Sequence, residues 1–299
     1  MKASSMVVVA GLGVGALALM AQGQQFVGLT GGNALVRFDG ASPLNTSAPV
    51  PVTGLSGVNE RLLGIDFRPA NNVLYGLSNA GFLYTVDPLT GAASRVGTGP
   101  TFVGNLNGSV FGFNFNPRAD RIRVVSDTGL NLRLDPVTGA VVPTGPDASL
   151  RYVDGTDGNP NPARGIVATS YTNSFLGLTG TEQFDLDARL DLLALQAPPN
   201  DGTLQARGPL GLDLDVVPTG FEIVFNPLTG LNTGFVAVQL PAFGNSALYT
   251  VNLTSGELSF VSAIDADPLV SLTAVIPAPG SVALLCVGGL AAVRRRRQS

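Results

Sequence analysis

The sequence predicts an all-β chain, a β-propeller of about five four-stranded blades. Three observations carry this expectation. Residues 64–91 and 112–139 match without gaps: Gly64, Phe67, Pro69, Asp87, Pro88, Thr90 and Gly91 recur 48 residues on, at Gly112, Phe115, Pro117, Asp135, Pro136, Thr138 and Gly139. Self-similarity at one fixed period signals a solenoid, a propeller or an array. The composition, with 38 Gly, 21 Pro, 13% charged and 45% hydrophobic residues, suits short strands and tight turns. No stretch of the body shows a helical period. A β-sandwich or β-solenoid is the alternative.

Each copy reads as strand, Pro-containing turn, strand, Gly turn, strand, Asp-Pro-x-Thr-Gly turn, strand. Period-2 alternation, as in Leu83-Tyr84-Thr85-Val86, supports the strands. A looser third copy runs through "FEIVFNPLTGLNTGFVAV" (221–238) and "ALYTVNLTSGELSFV" (247–261). A fourth is "GIVATSYTNSFLGLTGTEQFDLD" (165–187), leading into "LDLLALQ". The fifth, "FVGLTGGNALVRFDGASP" (26–43), lacks a first strand, which "LVSLTAVIP" (269–277) supplies from the far end. Such closure removes free sheet edges.

The recurring Asp-Pro-x-Thr-Gly is read as a turn, not as a catalytic signature. Asp accepts backbone hydrogen bonds, Pro pre-sets φ, and Gly takes a positive φ. A catalytic site is needed once, not once per repeat.

The two ends read as addresses. Residues 1–23 match a secretory signal peptide: Lys2, an apolar core from Met6 to Met20, and Ala21-Gln22-Gly23 for cleavage. Residues 24–276 form the propeller-like body. Residues 277–299 begin with Pro277-Ala278-Pro279-Gly280, continue with the apolar run 281–293 and end in Arg294, Arg295, Arg296 and Arg297. As a helix the run is about 20 Å long, shorter than the roughly 30 Å hydrocarbon core, so it needs neighbouring residues or a thinned bilayer to span. The arginines stay cytoplasmic and leave the body outside. This tail resembles the PEP-CTERM sorting signal of bacterial envelope proteins, with Ala278 where that motif has Glu. The resemblance implies processing by an exosortase-type enzyme; a plain tail anchor is the alternative.

Composition narrows the chemistry. The chain has no His, which excludes a Ser-His-Asp triad, a Cys-His pair and imidazole metal ligands. Cys286, the sole cysteine, makes no intramolecular disulfide. Carboxylate-only chemistry and oxygen-ligand Ca²⁺ binding survive. The body holds 12 Arg and no Lys against 21 acids, a net charge of −9. It has no electrostatic basis for binding nucleic acid.

"GIDFRPANNVLYGLS", "LYTVDPLTG", "FGFNFNPRADRIRVVSDTGLNLRLDPVTG" and "QAPPNDGTL" together resemble an uncharacterised family of secreted bacterial proteins, a domain of unknown function whose members often carry PEP-CTERM tails. The resemblance covers roughly residues 26–275. It implies a propeller-like extracytoplasmic domain and no particular activity.

The residues that break the repeat are the functional candidates. In "DRIRVVSDTGLNLRL", Arg121 and Arg123 share one strand face, Asn131 and Arg133 share a face of the next, and Asp127 lies in the turn between them. Converged, these groups would bind a carboxylate or sugar hydroxyls. The competing reading has the arginines bridging blades by pairing with Asp. Asp154, Asp157 and Asn159, in the insertion 152–165, are weak Ca²⁺ candidates against a plain surface loop. Clustered acids in "FDLDARLDLL" (184–193) and "LDLDVV" (212–217) offer a carboxylate pair for glycoside hydrolysis, or, with Asp185, Asp187, Arg189 and Asp191 alternating, one solvated strand face. Asn45, Asn107 and Asn252 match the N-glycosylation pattern and read more simply as turn composition.

The functional expectation is an exported propeller at the cell envelope, a non-enzymatic binding or structural module for glycan, matrix or protein. Signal peptidase and the sorting enzyme are its processing partners. The alternative is a carboxylate-dependent glycosidase or a Ca²⁺-dependent hydrolase or lactonase.

Overall fold

The protein was described from a computed structural model. It describes residues 23–97, 106–142, 147–153, 155, 165–177, 180–214, 217, 219–240 and 244–276. The N-terminal signal up to residue 22, the whole C-terminal signal, and Asp154, Asp157 and Asn159 lie outside these residues.

Five antiparallel sheets are arranged as blades. Blade 1 holds β1 (Gln25–Thr30), β2 (Ala34–Asp39) and β3 (Val50–Pro51). Its inner strand is β20 (Leu269–Ala274), paired antiparallel with β1 from Phe26↔Ala274 onward. Blade 2 is β4 (Leu62–Arg68), β5 (Val73–Ser78), β6 (Leu83–Val86) and β7 (Ala93–Arg95). Blade 3 is β8 (Phe111–Asn116), β9 (Arg121–Ser126) and β10 (Asn131–Leu134). Blade 4 is β12 (Ile166–Tyr171), β13 (Gln183–Asp187), β14 (Leu192–Gln196) and β15 (Thr203–Pro209). Blade 5 is β16 (Gly220–Asn226), β17 (Leu231–Leu240), β18 (Asn245–Val251) and β19 (Leu258–Ile264).

The inner strands close a ring: β20 lies beside β4, then β8, β12 and β16 follow, and β16 returns to β20. This ring rules out the sandwich and the solenoid. It also confirms that the chain from Leu269 completes the first blade, through β20 (Leu269–Ala274). Two blades depart from four strands. Blade 3 has three, with a single bridge, Leu134↔Val141, in place of the fourth. Blade 4 gains a fifth, β11 (Arg151–Tyr152), parallel to β15. The one helical turn among the described residues is the 3₁₀ segment Pro199–Asp201.

The core lies in the seams between blades. One apolar cluster joins Val27, Leu29 and Leu35 of blade 1 to Ile65, Leu74 and Tyr84 of blade 2. Another joins Leu77 and Leu83 to Phe113 and Val124. Three more fill the remaining seams. Blades are therefore buried on both faces, and inner positions lose the polar-out alternation of an ordinary antiparallel sheet. All six residues of "IVATSY" in β12 are buried. Close approach at the axis favours small residues at one aligned position: Gly64, Gly112, Ala168, Gly220 and Ser271. A Cβ on Gly112 would stand 2.7 Å from the backbone nitrogen of Thr169 in the next blade.

Candidate functional site

One residue after the next along each inner strand stands a polar side chain: Asp66, Asn114, Ser170, Glu222 and Thr273. Apolar or aromatic residues flank all of them but Ser170, which follows Thr169, and their alignment follows from the ring. Each reaches the following blade. Asp66 Oδ2 accepts the Phe115 N–H (2.7 Å), Asn114 Oδ1 the Tyr171 N–H (3.0 Å), and Ser170 Oγ the Ile223 N–H (2.9 Å). Thr273 Oγ1 faces the Phe67 N–H (3.4 Å) and donates to Asp66 Oδ1 (2.7 Å). Inner strands of adjacent blades are not paired, so their facing N–H groups need such partners.

Glu222 is the fifth member and the exception. It stands beside Asp66 across blade 1, and its Oε2 faces the Asn114 amide at 3.5 Å. Both carboxyl groups are buried, at 4% and 3% exposure. Burial pushes Asp66 up to about 7, against the pull of the Phe115 N–H and the Thr273 hydroxyl. Burial, and then the Asp66 charge, push Glu222 well above the carboxylate range. Both carboxyls therefore keep their protons to higher pH than free carboxylates do. A cleft of about 330 Å³ adjoins the pair, walled by Phe175, Val224, Phe225 and Ile276. Only about 20 Å³ of it is free interior, room for about one water.

The second polar assembly fills the outer seam between blades 3 and 4, and holds most of the residues singled out from the sequence. Asn114, Arg123 and Arg133 pair across β8, β9 and β10 and so share a face. Arg123 Nη1 donates to Asn131 Oδ1 and Asp147 Oδ2, both at 2.6 Å. Its Nη2 reaches Asn200 Oδ1 (2.8 Å) and its Nε the Tyr171 hydroxyl (3.3 Å). Arg133 forks onto both oxygens of Asp147 (2.8 and 2.9 Å). Tyr171 donates to Gln183 Oε1, Gln183 Nε2 donates to Gln196 Oε1, and Gln196 Nε2 donates to the Pro199 carbonyl, each at 2.6 Å. Arg123 and Arg133 thus bridge to Asp147, and Arg123 reaches blade 4. The guanidinium of Arg123 is spent on protein acceptors and leaves no open face.

The other two candidates stand apart. Arg121 pairs with Asp135 at 3.4 Å and donates to the Asp120 carbonyl. Asp127 Oδ1 accepts the Ser109 and Val110 N–H groups (2.9 and 3.2 Å) and so ties the chain leading into β8.

The reading of Asp185, Asp187, Arg189 and Asp191 as one solvated face is overturned. Asp185 and Asp187 are fully buried, because β13 has a neighbouring blade on each face. Asp187 Oδ1 caps the turn by accepting the Arg189 and Leu190 N–H groups (both 3.0 Å), and its Oδ2 accepts the Tyr152 hydroxyl (3.1 Å). Asp191 holds the Leu214 N–H (2.7 Å). Asp185 Oδ2 has no hydrogen-bond partner among the described residues, and burial pushes this carboxyl up to about 7. Among the described residues no group of three Asp, Glu or Cys is placed to hold a metal ion.

Sequence reasoning missed Asp66, Glu222, Asn114 and Gln183. The signal for Asp66 and Asn114 was present: both are polar residues within apolar strands, one period apart. Nothing marked Glu222 as their partner.

A protein-family model, "Domain of unknown function (DUF4394)", matches residues 34–273. The chain belongs to this family. No curated protein matches it. Among solved structures, a protein of unknown function from Bacteroides thetaiotaomicron VPI-5482 shares 13% identity at a TM-score of 0.45, over 81% of this chain and 58% of its own. A structure titled "YCF48 bound to D1 peptide" shares 10% identity at 0.36, over 80% and 64%. BamB from Moraxella catarrhalis shares 13% at 0.32, over 78% and 68%. The family member described here thus spans 58% of the first of these chains.

Proposed function

We infer that this family member is an exported propeller of the bacterial cell envelope that acts as a binding or structural module without catalysis. The observation that carries this reading is the state of its buried carboxyl groups. A glycosidase needs two carboxyls with room between them for the scissile bond of a sugar. Asp66 and Glu222 are both buried, with the Phe115 N–H, the Thr273 hydroxyl and the Asn114 amide on their oxygens, which leaves neither open to such a substrate. The cleft beside them admits about one water, not a sugar ring. Asp185 and Asp187 are sealed in seams. The leader-like residues 1–23, the tail 277–299 and the acidic body support export.

The enzyme reading keeps one supporting observation, a buried acid pair with raised pKa values at the axis. A broad glycosidase and lactonase screen separates the two. The module reading expects no turnover from wild type; activity abolished by Glu222→Gln would replace it. Terminal mass spectrometry of the mature protein tests export, with Gln24 expected as the first residue and Arg294–Arg297 expected to be absent.

A further inference from the structure

We propose that the mouth of the ring opposite the Asp66–Glu222 pair binds a small organic monocarboxylate with a short apolar chain. The inference rests on the reading of the propeller as a binding module and names where it binds and what. A pocket of about 380 Å³, of which about 50 Å³ is free interior, lies there, lined by Thr30, Arg61, Leu62, Leu63, Ser109, Phe111 and Val270, with Gly31. Leu62 and Phe111 open β4 and β8, Val270 is the second residue of β20, and Thr30 and Gly31 turn from β1 to β2. The cleft beside the carboxyl pair is lined instead by the far ends of β16 and β20, at Phe225 and Ala274. The two openings are therefore at opposite ends of the axis.

The polar lining consists of donors. Arg61 is the charged residue of this pocket, and no carboxylate lines it. Arg68, Arg121, Arg123 and Arg133 are each paired with Asp. The Arg61 guanidinium has no hydrogen bond or ion pair with the described residues, although its backbone is pinned: its N–H donates to Asn79 Oδ1 (3.0 Å) and its carbonyl accepts the Asn79 N–H (2.9 Å). Thr30 Oγ1 already accepts the Ala34 N–H (3.2 Å), which leaves its proton to donate. The Ser109 hydroxyl is exposed and without a partner among the described residues. Three donors and no acceptor-only group select an anion, and guanidinium suits the carboxylate fork. Leu62, Leu63, Phe111 and Val270 give the rest of the lining an apolar surface, which selects a ligand with a hydrocarbon tail rather than a bare ion. The net charge of −9 on the body repels anions in general, so binding here needs this local charge.

Isothermal titration of the purified full chain with pentanoate, and with pentylamine as a match of opposite charge, tests the inference. Pentanoate should bind and pentylamine should not. Arg61→Gln, with an unchanged far-ultraviolet circular dichroism spectrum, should weaken pentanoate roughly tenfold or more, the loss expected of one charge-assisted pair. Arg207→Gln, an exposed arginine of β15, should change nothing. Equal binding by wild type and Arg61→Gln, equal binding of both probes, or no binding at all would overturn the site and leave the module reading standing. Turnover in the substrate screen, abolished by Glu222→Gln, would overturn the module reading whatever pentanoate does.

Discussion

Arg123 is 2% exposed and carries a full charge, a state that a low-dielectric interior tolerates only with several partners in place. Asp147, Asn131, Asn200 and Tyr171 supply them. Arg123→Met should leave Asp147 sealed with Arg133 alone and cost about 3–5 kcal/mol in a chemical denaturation experiment. Arg123→Lys should not rescue it, because an ammonium cannot reach four acceptors set in a planar fork. The Asp66–Glu222 pair makes the opposite kind of prediction. Folding raises Asp66 to about 7 and holds Glu222 well above the usual carboxylate range, so between about pH 4 and 7 the folded chain binds more protons than the unfolded one. Stability from these groups is then full below the unfolded carboxylate pKa and falls as pH rises through about 7. Asp185, also raised to about 7, adds to the same slope. Thermal melts from pH 4.5 to 8 should show a falling midpoint. Glu222→Gln should flatten much of that fall while melting near wild type at the acidic end; an unchanged slope would remove the pair from the account.

The turn "DPLTG" shows what one element does twice over. Asp87 Oδ1 accepts the Leu89 and Thr90 N–H groups (2.7 and 3.1 Å), and Asp135 Oδ1 accepts those of Val137 and Thr138 (2.8 and 3.0 Å). These N–H groups hold the Asp87 carboxyl below its usual range. Asn252 does the same for Thr254 and Ser255. The turn also docks the preceding blade. Gly91 has φ +71°, and a Cβ there would lie 2.2 Å from the carbonyl oxygen of Pro51 in β3. The Thr53 N–H, just beyond β3, donates to the Gly91 carbonyl at 2.9 Å. Two substitutions should therefore differ in scale. Asp87→Asn should be close to neutral, since Asn252 already fills the role in blade 5. Asp87→Ala should destabilise the fold through the loss of both hydrogen bonds. Gly91→Ala combines a left-handed backbone with a clash against β3 and should cost more than Asp87→Ala in the same denaturation series. A smaller loss at Gly91 would mean that the contact with β3 is slack.

At the scale of the whole molecule, the fold was more legible than the site, for a physical reason. Blades repeat, so a 48-residue offset between Gly64 and Gly112 exposes the unit, and the orphan strand 269–277 exposes the closure. The polar sites are built between blades. Asp66 meets Glu222 across 156 positions of sequence, and Arg123 meets Asn200 across 77; no local pattern encodes either meeting. The solvated-face reading of Asp185 and Asp187 failed for the same reason, since alternation reports exposure only where one face of a sheet is free. Closure itself is the largest lever on stability. Without β20 the Val27 and Leu269 clusters on either side of blade 1 lose their inner strand, and Asp66 loses the Thr273 hydroxyl. A chain ending at Pro268 should lose cooperative unfolding, measured by circular dichroism. A circular permutant that starts with residues 267–276, joined directly to Gln24, keeps every strand pair and converts the closing strand into the first. The Val275 N–H already donates to the Gln25 carbonyl at 2.8 Å, so the join needs little added chain. This permutant should unfold in one transition near the wild-type midpoint. If it melts no better than the truncated chain, the stability of the ring depends on having its ends in separate strands of one blade, and closure by pairing alone is not enough.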